Sequence, residues 1–352
     1  MASATDGRDA TGRYRDSALA SAVVPGERQV GIISALPDLL TELGCPPAPV
    51  LADAGIDPAI LRDPDNVITL VGAGRLLASA AAASGCAHIG LLLGQRGVQS
   101  HPSHIRRLMR NAPNFGTAIR DLCANQPRFV RGAVTYLAIR DDIALWGYMI
   151  YAPGIPGVEH LVDSGVTIGI GMMRELSGND PADVLLTRPV PVDVGPYRRL
   201  FGITPRFGAE QNALIFPRTL LATPVPGADP LLRRILEKSV ADFWALRQPT
   251  FTERVERSLH ADIMFGPVSL DSAAKSLGMH ARTLKRRLRA EGSSFSALLA
   301  KVRFEMAAER LRATSVPITE IAFSLGYGDP SAFTHAFRRW SGKTPSEVRG
   351  AV

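Results

Sequence analysis

Four basic side chains near the C-terminus recur at helical spacing: Arg282, Lys285, Arg286 and Arg289. Residues at i, i+3, i+4 and i+7 lie on one face of an α-helix, so these four predict a basic stripe. Guanidinium and ammonium groups donate hydrogen bonds to phosphate oxygens and to O6 and N7 of guanine. A helix with such a stripe fits the major groove of DNA; the alternative is a solvated basic surface.

A helix-turn-helix is the element that would position this stripe. Ser269 is predicted to cap a first helix, and Gly278 supplies the positive φ of the turn. Leu284 and Leu288 give the second helix an apolar stripe opposite the basic one. His280 stands where a cap of the second helix is expected, although histidine caps poorly.

The same unit occurs twice. "AAKSLGMH" begins at Ala273 and "IAFSLGYG" at Ile321, and the two leucines of the first unit correspond to Phe333 and Phe337. The segment "SFSALLAKVRFEMAAERLRAT" between them has apolar residues at helical spacing, and a helix of about 18 residues is roughly 27 Å long. We therefore expect the two second helices to lie about one DNA turn, roughly 34 Å, apart.

The second unit contains the segment "GYGDPSAFTHAFRRW" (326–340). Asp329 is its predicted N-cap, and Pro330 occupies the first helical position, where proline is favoured. The aromatic side chains Phe333, Phe337 and Trp340 are expected in the core rather than stacked on nucleic acid.

The positive charge of the chain is confined to this region. Residues Pro267 to Arg349 hold 14 Lys and Arg against 7 Asp and Glu, whereas the remainder balances 26 against 26. A basic domain joined to a neutral one is typical of nucleic-acid-binding proteins.

Composition narrows the class of protein. The chain is 46% apolar and 21% charged, as expected of a globular protein. No apolar run approaches the roughly 18 residues of a membrane-spanning helix, and the polar N-terminus lacks the apolar core of a signal peptide. Three widely spaced cysteines argue against a disulfide framework and favour the cytoplasm.

The neutral part of the chain mixes helix and strand signals, which predicts an α+β domain. Residues 34–97 are predominantly helical in pattern. Residues 131–151 contain two β-rich runs around Asp141 and Asp142, the pattern of a β-hairpin. "GVEHLVDSGVTIGIGMMRELSG" is a predicted helix, and "DVLLTRP" and "ALIFP" are predicted strands on either side of the helical turn "GPYRRLFG".

The proline-rich segment "ATPVPGADP" (222–230) marks a domain boundary. We divide the chain into a disordered tail (1–28), an α+β effector-sensing or dimerisation domain (29–226), a linker helix (227–249) and an all-α DNA-binding domain (250–352). In the last of these, two helix-turn-helix units are joined by a helix.

The sequence contains no strong motif for a metal site, a catalytic site or an effector pocket. His101 and His104 form a close pair but lack further ligands, so we expect no metal site and no cofactor. No catalytic constellation stands out, so an enzyme is not expected. The aromatic residues of the hairpin could line an apolar pocket, with Arg131 as an anchor for a carboxylate: Tyr136, Trp146, Tyr148 and Tyr151. A core role for these aromatics is favoured, and no effector contact is assigned.

Residues Pro267 to Arg349 resemble the DNA-binding domain of the AraC/XylS family of bacterial transcription regulators. The resemblance lies in "LGMHARTLKRRLRAEGSSF", "VRFEMAAERL" and "ITEIAFSLGYGDPSAFTHAFRRWSGKTPSEVR". Through "YRRLFGITPRFGAEQNALIFP", the neutral part is similar to the N-terminal domain of the ornithine-utilisation-regulator and mycobacterial virulence-regulator branch. In that branch the domain senses a small molecule or mediates dimerisation.

The resemblance implies base contacts from the first recognition helix through Arg282, Lys285 and Arg286. In the second, His335 stands where the family commonly has arginine, and Ser331 and His335 are the candidate base contacts. The candidate contacts to the DNA backbone are His280, Arg287, Arg289, Arg338 and Arg339.

We therefore expect a cytoplasmic regulator of transcription that binds double-stranded promoter DNA, contacts RNA polymerase and responds to a small organic effector in its N-terminal domain. Family precedent favours a homodimer. The alternative is a regulator gated by dimerisation or by a protein partner, with no small-molecule ligand.

Overall fold

The computed structural model describes residues 26–100, 104–126, 129–152, 154–245, 250–264, 266–314 and 316–350. Residues 1–25, most of the predicted tail, and His101 of the histidine pair lie outside them. The tail was predicted to extend to residue 28, but Glu27 and Arg28 belong to a strand. Their backbone pairs with Thr69 and Ile68, which fixes them in a small two-stranded sheet.

The N-terminal domain combines helices with short strands, as predicted. Its strands are β1 (Glu27–Gln29), β2 (Val67–Thr69), β3 (Ala133–Arg140), β4 (Ile143–Ile150), β5 (Asp183–Leu185) and β6 (Asn212–Pro217). Its helices are α1 (Leu36–Glu42), α2 (Pro47–Asp53), α3 (Leu70–Ser84), α4 (Ile89–Ser100), α5 (His104–Arg110), α6 (Phe115–Asn125), α7 (Val158–Ser177) and α8 (Gly195–Phe201). No single described helix is long and apolar enough to cross a membrane.

An antiparallel sheet of order β3-β4-β6-β5 organises this domain. The predicted hairpin is confirmed as β3 and β4, and Asp141 makes its turn with a φ of 52°. Both other predicted strands are present and pair with each other as β5 and β6. The prediction of an α+β domain is therefore correct.

The long helix α7 packs on the inner face of this sheet and carries α4 on its other side. Gly90 and Gly94 make the contact between α4 and α7 possible. A Cβ atom at Gly90 would lie 2.3 Å from the carbonyl oxygen of His160, and one at Gly94 would lie 2.6 Å from that of Ser164. These glycines therefore allow two helix backbones to approach closely.

The segment predicted as a linker helix forms α9 (Pro230–Ala245), and residues 246–249 lie outside the described part. Its buried residues Leu236 and Val240 belong to the core of the N-terminal domain. Arg233 binds Asp121 of α6 at 2.8 Å, which fastens α9 to that domain.

The C-terminal region is entirely helical where it is described. Its helices are α10 (Phe251–Ile263), α11 (Leu270–Ser276), α12 (Ala281–Ala290), α13 (Phe295–Ala313), α14 (Ile318–Ser324), α15 (Pro330–Ser341) and α16 (Pro345–Arg349). Helices α11 and α12 form one helix-turn-helix, α14 and α15 form the other, and α13 joins them, which confirms the predicted class. Gly278 and Gly326 turn the two units with φ values of 65° and 78°.

Candidate nucleic-acid interface

Helix α12 presents its basic stripe to solvent. Leu284 and Leu288 are completely buried beneath it. All the basic side chains of the stripe are exposed: Arg282, Lys285, Arg286 and Arg289. The structure therefore brings together the three predicted base contacts of the first unit on one accessible helix face, and their role in base recognition stays a prediction.

Helix α12 is held at its C-terminal end and has no side-chain cap at its N-terminal end. His280 occupies the N-cap position with extended backbone, but its side chain makes no capping hydrogen bond. Just beyond the C-terminal end, the Glu291 carboxylate accepts hydrogen bonds from the backbone N–H groups of Phe251 (2.9 Å) and Thr252 (2.7 Å). The bond from Thr252 contributes most to lowering the pKa of Glu291, and the bond from Phe251 lowers this pKa further. Glu291 thus ties the recognition helix to the first turn of α10.

Arg287 lies on a different side of α12 from the basic stripe. Its guanidinium carbon is 5.0 Å from the centre of the Phe251 ring, in a cation–π contact. The side chain therefore packs against α10 in this structure. Its assignment as a contact to the DNA backbone stays a prediction.

The second unit is built as its turn chemistry predicts. Asp329 accepts a hydrogen bond from the Ala332 N–H at 3.2 Å, and Pro330 occupies the first helical position of α15. Phe333 and Phe337 are buried, with ring centres 5.8 Å apart. The predicted DNA-contacting side chains of this unit are all exposed: Ser331, His335, Arg338 and Arg339.

Trp340 departs from the prediction that it is a core residue. It follows Phe333 and Phe337 on the same stripe of α15 but remains 43% exposed. Its ring stacks on Phe304 of α13 at 6.2 Å between centres. Helix α13 packs against only one side of this last turn of α15, so one face of the indole is covered and the other is exposed to solvent.

The DNA-binding domain docks on the outer face of the β3–β4 hairpin. Val134, Tyr136 and Met149 are buried in the core of the C-terminal region rather than in that of their own domain. At the edge of this junction, Tyr151 stacks on His260 of α10 at 4.0 Å between ring centres. Both recognition helices keep their predicted DNA-contacting faces exposed in this arrangement.

Strand alternation divides the hairpin aromatics that the sequence grouped together. Tyr136 faces the DNA-binding domain, whereas Trp146 and Tyr148 face inward. The inward pair lines a cavity of about 200 Å³ inside the N-terminal domain. Arg131, named above as an anchor that such a pocket could use, pairs with Glu253 of α10 at 3.4 Å and is absent from the described lining of that cavity.

A wider cleft of about 640 Å³ lies between the two domains. The N-terminal domain contributes Arg188 and Tyr197, among others, and α13 contributes Glu305, Glu309 and Arg312. Arg188 and the Tyr197 hydroxyl both donate hydrogen bonds to the buried carboxylate of Asp163.

These features define a two-domain DNA-binding regulator, in which twin helix-turn-helix units are docked on an α+β domain. Comparison with known proteins gives the family. A model described as the arabinose-binding N-terminal domain of AraC transcription regulators matches residues 44–225, and a helix-turn-helix domain model matches residues 273–351. The chain belongs to the AraC family of transcription regulators, and its homologues are regulators rather than enzymes.

Relatives match over nearly the whole chain. The HTH-type transcriptional regulator VirS of Mycobacterium tuberculosis is 31% identical over 89% of this chain and 93% of its own length. The ornithine utilization regulator of Pseudomonas aeruginosa is 28% identical over 92% of this chain and 96% of its own. The crystal structure of CdpR from Pseudomonas aeruginosa is similar with a TM-score of 0.39 and 20% identity, over 86% of this chain and 96% of that one.

Proposed function

We propose that this regulator recognises promoter sequence through both helix-turn-helix units, and that the first unit carries more of the base specificity. The exposed stripe of Arg282, Lys285 and Arg286 on α12 is the observation that supports this division. Arginine and lysine make the commonest specific contacts to guanine. On α15 the corresponding face carries Ser331 and His335, which have shorter reach and less charge.

A small organic effector, bound in the N-terminal domain, controls the affinity for promoter DNA or the contact with RNA polymerase in the cytoplasm. The β3–β4 hairpin supports this part of the proposal, since its inner face lines a cavity and its outer face contacts the DNA-binding domain. An effector can shift such an equilibrium only if it binds the two conformations with different affinity.

Selection from a random double-stranded DNA library with the full-length protein tests sequence recognition. The expected product has two conserved segments about 10 base pairs apart, one for each unit. Arg286→Ala should erase base preference in the segment read by the first unit and leave the other intact. Enrichment of a single segment, unaffected by this substitution, would contradict the proposed division.

Control by homodimerisation is the second candidate function. It would act either in place of effector control or together with it. Leu231 and Ile235, one turn apart on α9, are 67% and 60% exposed. A second copy of the chain would cover this apolar pair. Sedimentation of the full-length protein should show a dimer that Ile235→Glu converts to monomer, and a monomeric wild-type protein would exclude the homodimer.

Regulation without any small molecule would instead require operator binding that responds only to assembly or to a protein partner.

A further inference from the structure

The cavity inside the N-terminal domain has an apolar wall. It lies between the inner face of the sheet, helix α7 and the segment around β1. Trp146, Tyr148, Leu161, Met172 and Leu214 contribute apolar surface to it. Its volume of about 200 Å³ is below the roughly 300–1,000 Å³ of sites for drug-sized ligands, so any occupant is small.

Two buried carboxamides in the lining of this cavity have unused hydrogen-bonding groups. Gln126 is 6% exposed, and neither atom of its amide has a partner among the described residues. Asn212 is 1% exposed; its Oδ1 accepts from the Thr187 N–H at 2.8 Å, but its Nδ2 has no partner in the described part of the chain. A buried polar group without a partner destabilises the folded state, so both amides favour a polar ligand.

Arg28 adds a positive charge that nothing in the lining neutralises. Its Nε donates to the carbonyl oxygen of Gln29, and the described structure gives its guanidinium no carboxylate partner. Burial lowers the pKa of Arg28, since the charged form is poorly solvated there. The described residues that line the cavity include no Asp or Glu. An anion would therefore offset the cost of this partly buried charge.

We propose that the cavity binds a small organic acid, whose carboxylate is held by the Arg28 guanidinium and by amide N–H groups of Gln126 and Asn212. The aromatic and aliphatic wall would bind the apolar body of the acid. This inference rests on the proposed control by an effector and names the chemical class of that effector. The wider cleft between the domains is less suited to an anion, because its carboxylates outnumber its guanidinium groups and Arg188 is already bound by Asp163.

The position of the cavity connects such a ligand to the DNA-binding domain. Thr135 and Tyr148 line the cavity, while their immediate neighbours Val134, Tyr136 and Met149 point to the opposite face and are buried against the C-terminal helices. Successive side chains of a strand alternate between the two faces of a sheet. A ligand that moves β3 and β4 therefore moves the surface on which the DNA-binding domain rests.

Titration of the full-length protein with matched pairs of compounds tests the proposal. Phenylacetate, hexanoate and succinate are compared with their carboxamides and with inorganic phosphate, by thermal shift and by calorimetry. We expect at least one carboxylate to bind and raise the melting temperature, and its carboxamide to bind about 10- to 100-fold more weakly, since it lacks the charge-assisted bond to Arg28.

Variants locate the site. Arg28→Met should weaken binding of that carboxylate by about 10- to 100-fold, whereas Arg140→Met at the exposed end of β3 should leave it unchanged. Asn212→Asp keeps the oxygen that accepts from Thr187 but replaces the Nδ2 donor by a second carboxylate oxygen. This variant should abolish binding of the carboxylate, and a cooperative thermal melt of the variant separates loss of the site from loss of the fold.

The outcomes test two proposals separately: that an effector controls the protein, and that this effector is an organic acid. The proposal is wrong if no carboxylate binds, or if the carboxamides or phosphate bind with the same affinity as the carboxylates. It is also wrong if the two cavity variants bind the carboxylate with the affinity of the wild type. A change of operator affinity caused by a neutral or cationic compound would preserve effector control and overturn the organic acid. Operator affinity that responds to protein assembly alone would overturn both.

Discussion

The ring of Tyr151, at the end of the hairpin, stacks on the ring of His260 in the first helix of the DNA-binding domain, with centres 4.0 Å apart. His260 is completely buried, its Nδ1 lies 3.0 Å from the Glu256 carbonyl oxygen, and its Nε2 lies 3.2 Å from the Glu305 carboxylate on α13. The imidazole is thus held by a hydrogen bond within α10 and lies beside α13. Tyr151 therefore contacts a completely buried side chain of the DNA-binding domain.

Tyr151→Leu should weaken the docking of the two domains. Removal of the aromatic pair costs about 1 kcal/mol beyond the apolar area that is lost, so undocked molecules should become several-fold more frequent. Hydrogen exchange of the β3 amides and small-angle scattering would report the change. Tyr151→Phe keeps the ring and should behave like wild type; equal exchange in both variants would show that the stack contributes nothing to docking.

Arg286→Ala should lower the affinity for the selected operator by about 1–3 kcal/mol, because a bidentate contact to guanine would be lost. Competition binding at fixed salt concentration against the selected operator and a scrambled sequence measures the effect. Arg287→Ala is the matched control: its side chain lies on Phe251, so base preference should persist. An Arg286→Ala protein with unchanged operator affinity would remove Arg286 from the base contacts.

The DNA-binding domain was predictable because its signals are local. The spacing of Leu284 and Leu288, the glycine at position 278 and the Asp329–Pro330 helix start each determine structure within a few residues, and the structure confirms them. The same local logic failed at Trp340. Its place on the stripe was correct, but its exposure depends on which helix lies opposite.

The cavity of the N-terminal domain could not be predicted in the same way. Arg28, Gln126 and Asn212 come from three distant segments, and the sheet and its helices bring them into the lining of one cavity. Each is an unremarkable polar residue in the sequence. The hairpin aromatics suggested a pocket that Arg131 could anchor, but Arg131 pairs with Glu253. Only the three-dimensional arrangement places Arg28 in the lining of the cavity.

Gly90→Ala should destabilise the N-terminal domain. The added methyl group would lie 2.3 Å from the His160 carbonyl oxygen, so α4 and α7 would have to separate, at a cost of about 1–3 kcal/mol or more. Gly169→Ala on α7 is the comparison. Its Cβ would make an ordinary 3.4 Å contact with Leu214, and alanine favours a helix by up to about 1 kcal/mol. Thermal melts should therefore shift in opposite directions, and equal shifts would show that the close approach of α4 is unimportant.

Glu291→Ala should destabilise the DNA-binding domain and reduce operator affinity through misplacement of α12. Loss of its two bonds to the N-terminus of α10 should cost about 1 kcal/mol, the usual cost of a lost helix cap.

The pKa of Glu291 is lowered from its ordinary 4.5. The stability that its carboxylate contributes is therefore complete above that pH and is lost as the pH falls through the lower pKa of the folded state. Melting temperatures of wild type and Glu291→Ala should consequently differ at pH 7 and converge in acid. Glu291→Gln retains one acceptor oxygen and should fall between them. A difference that persists unchanged in acid would show that the carboxylate charge contributes nothing to the position of the recognition helix.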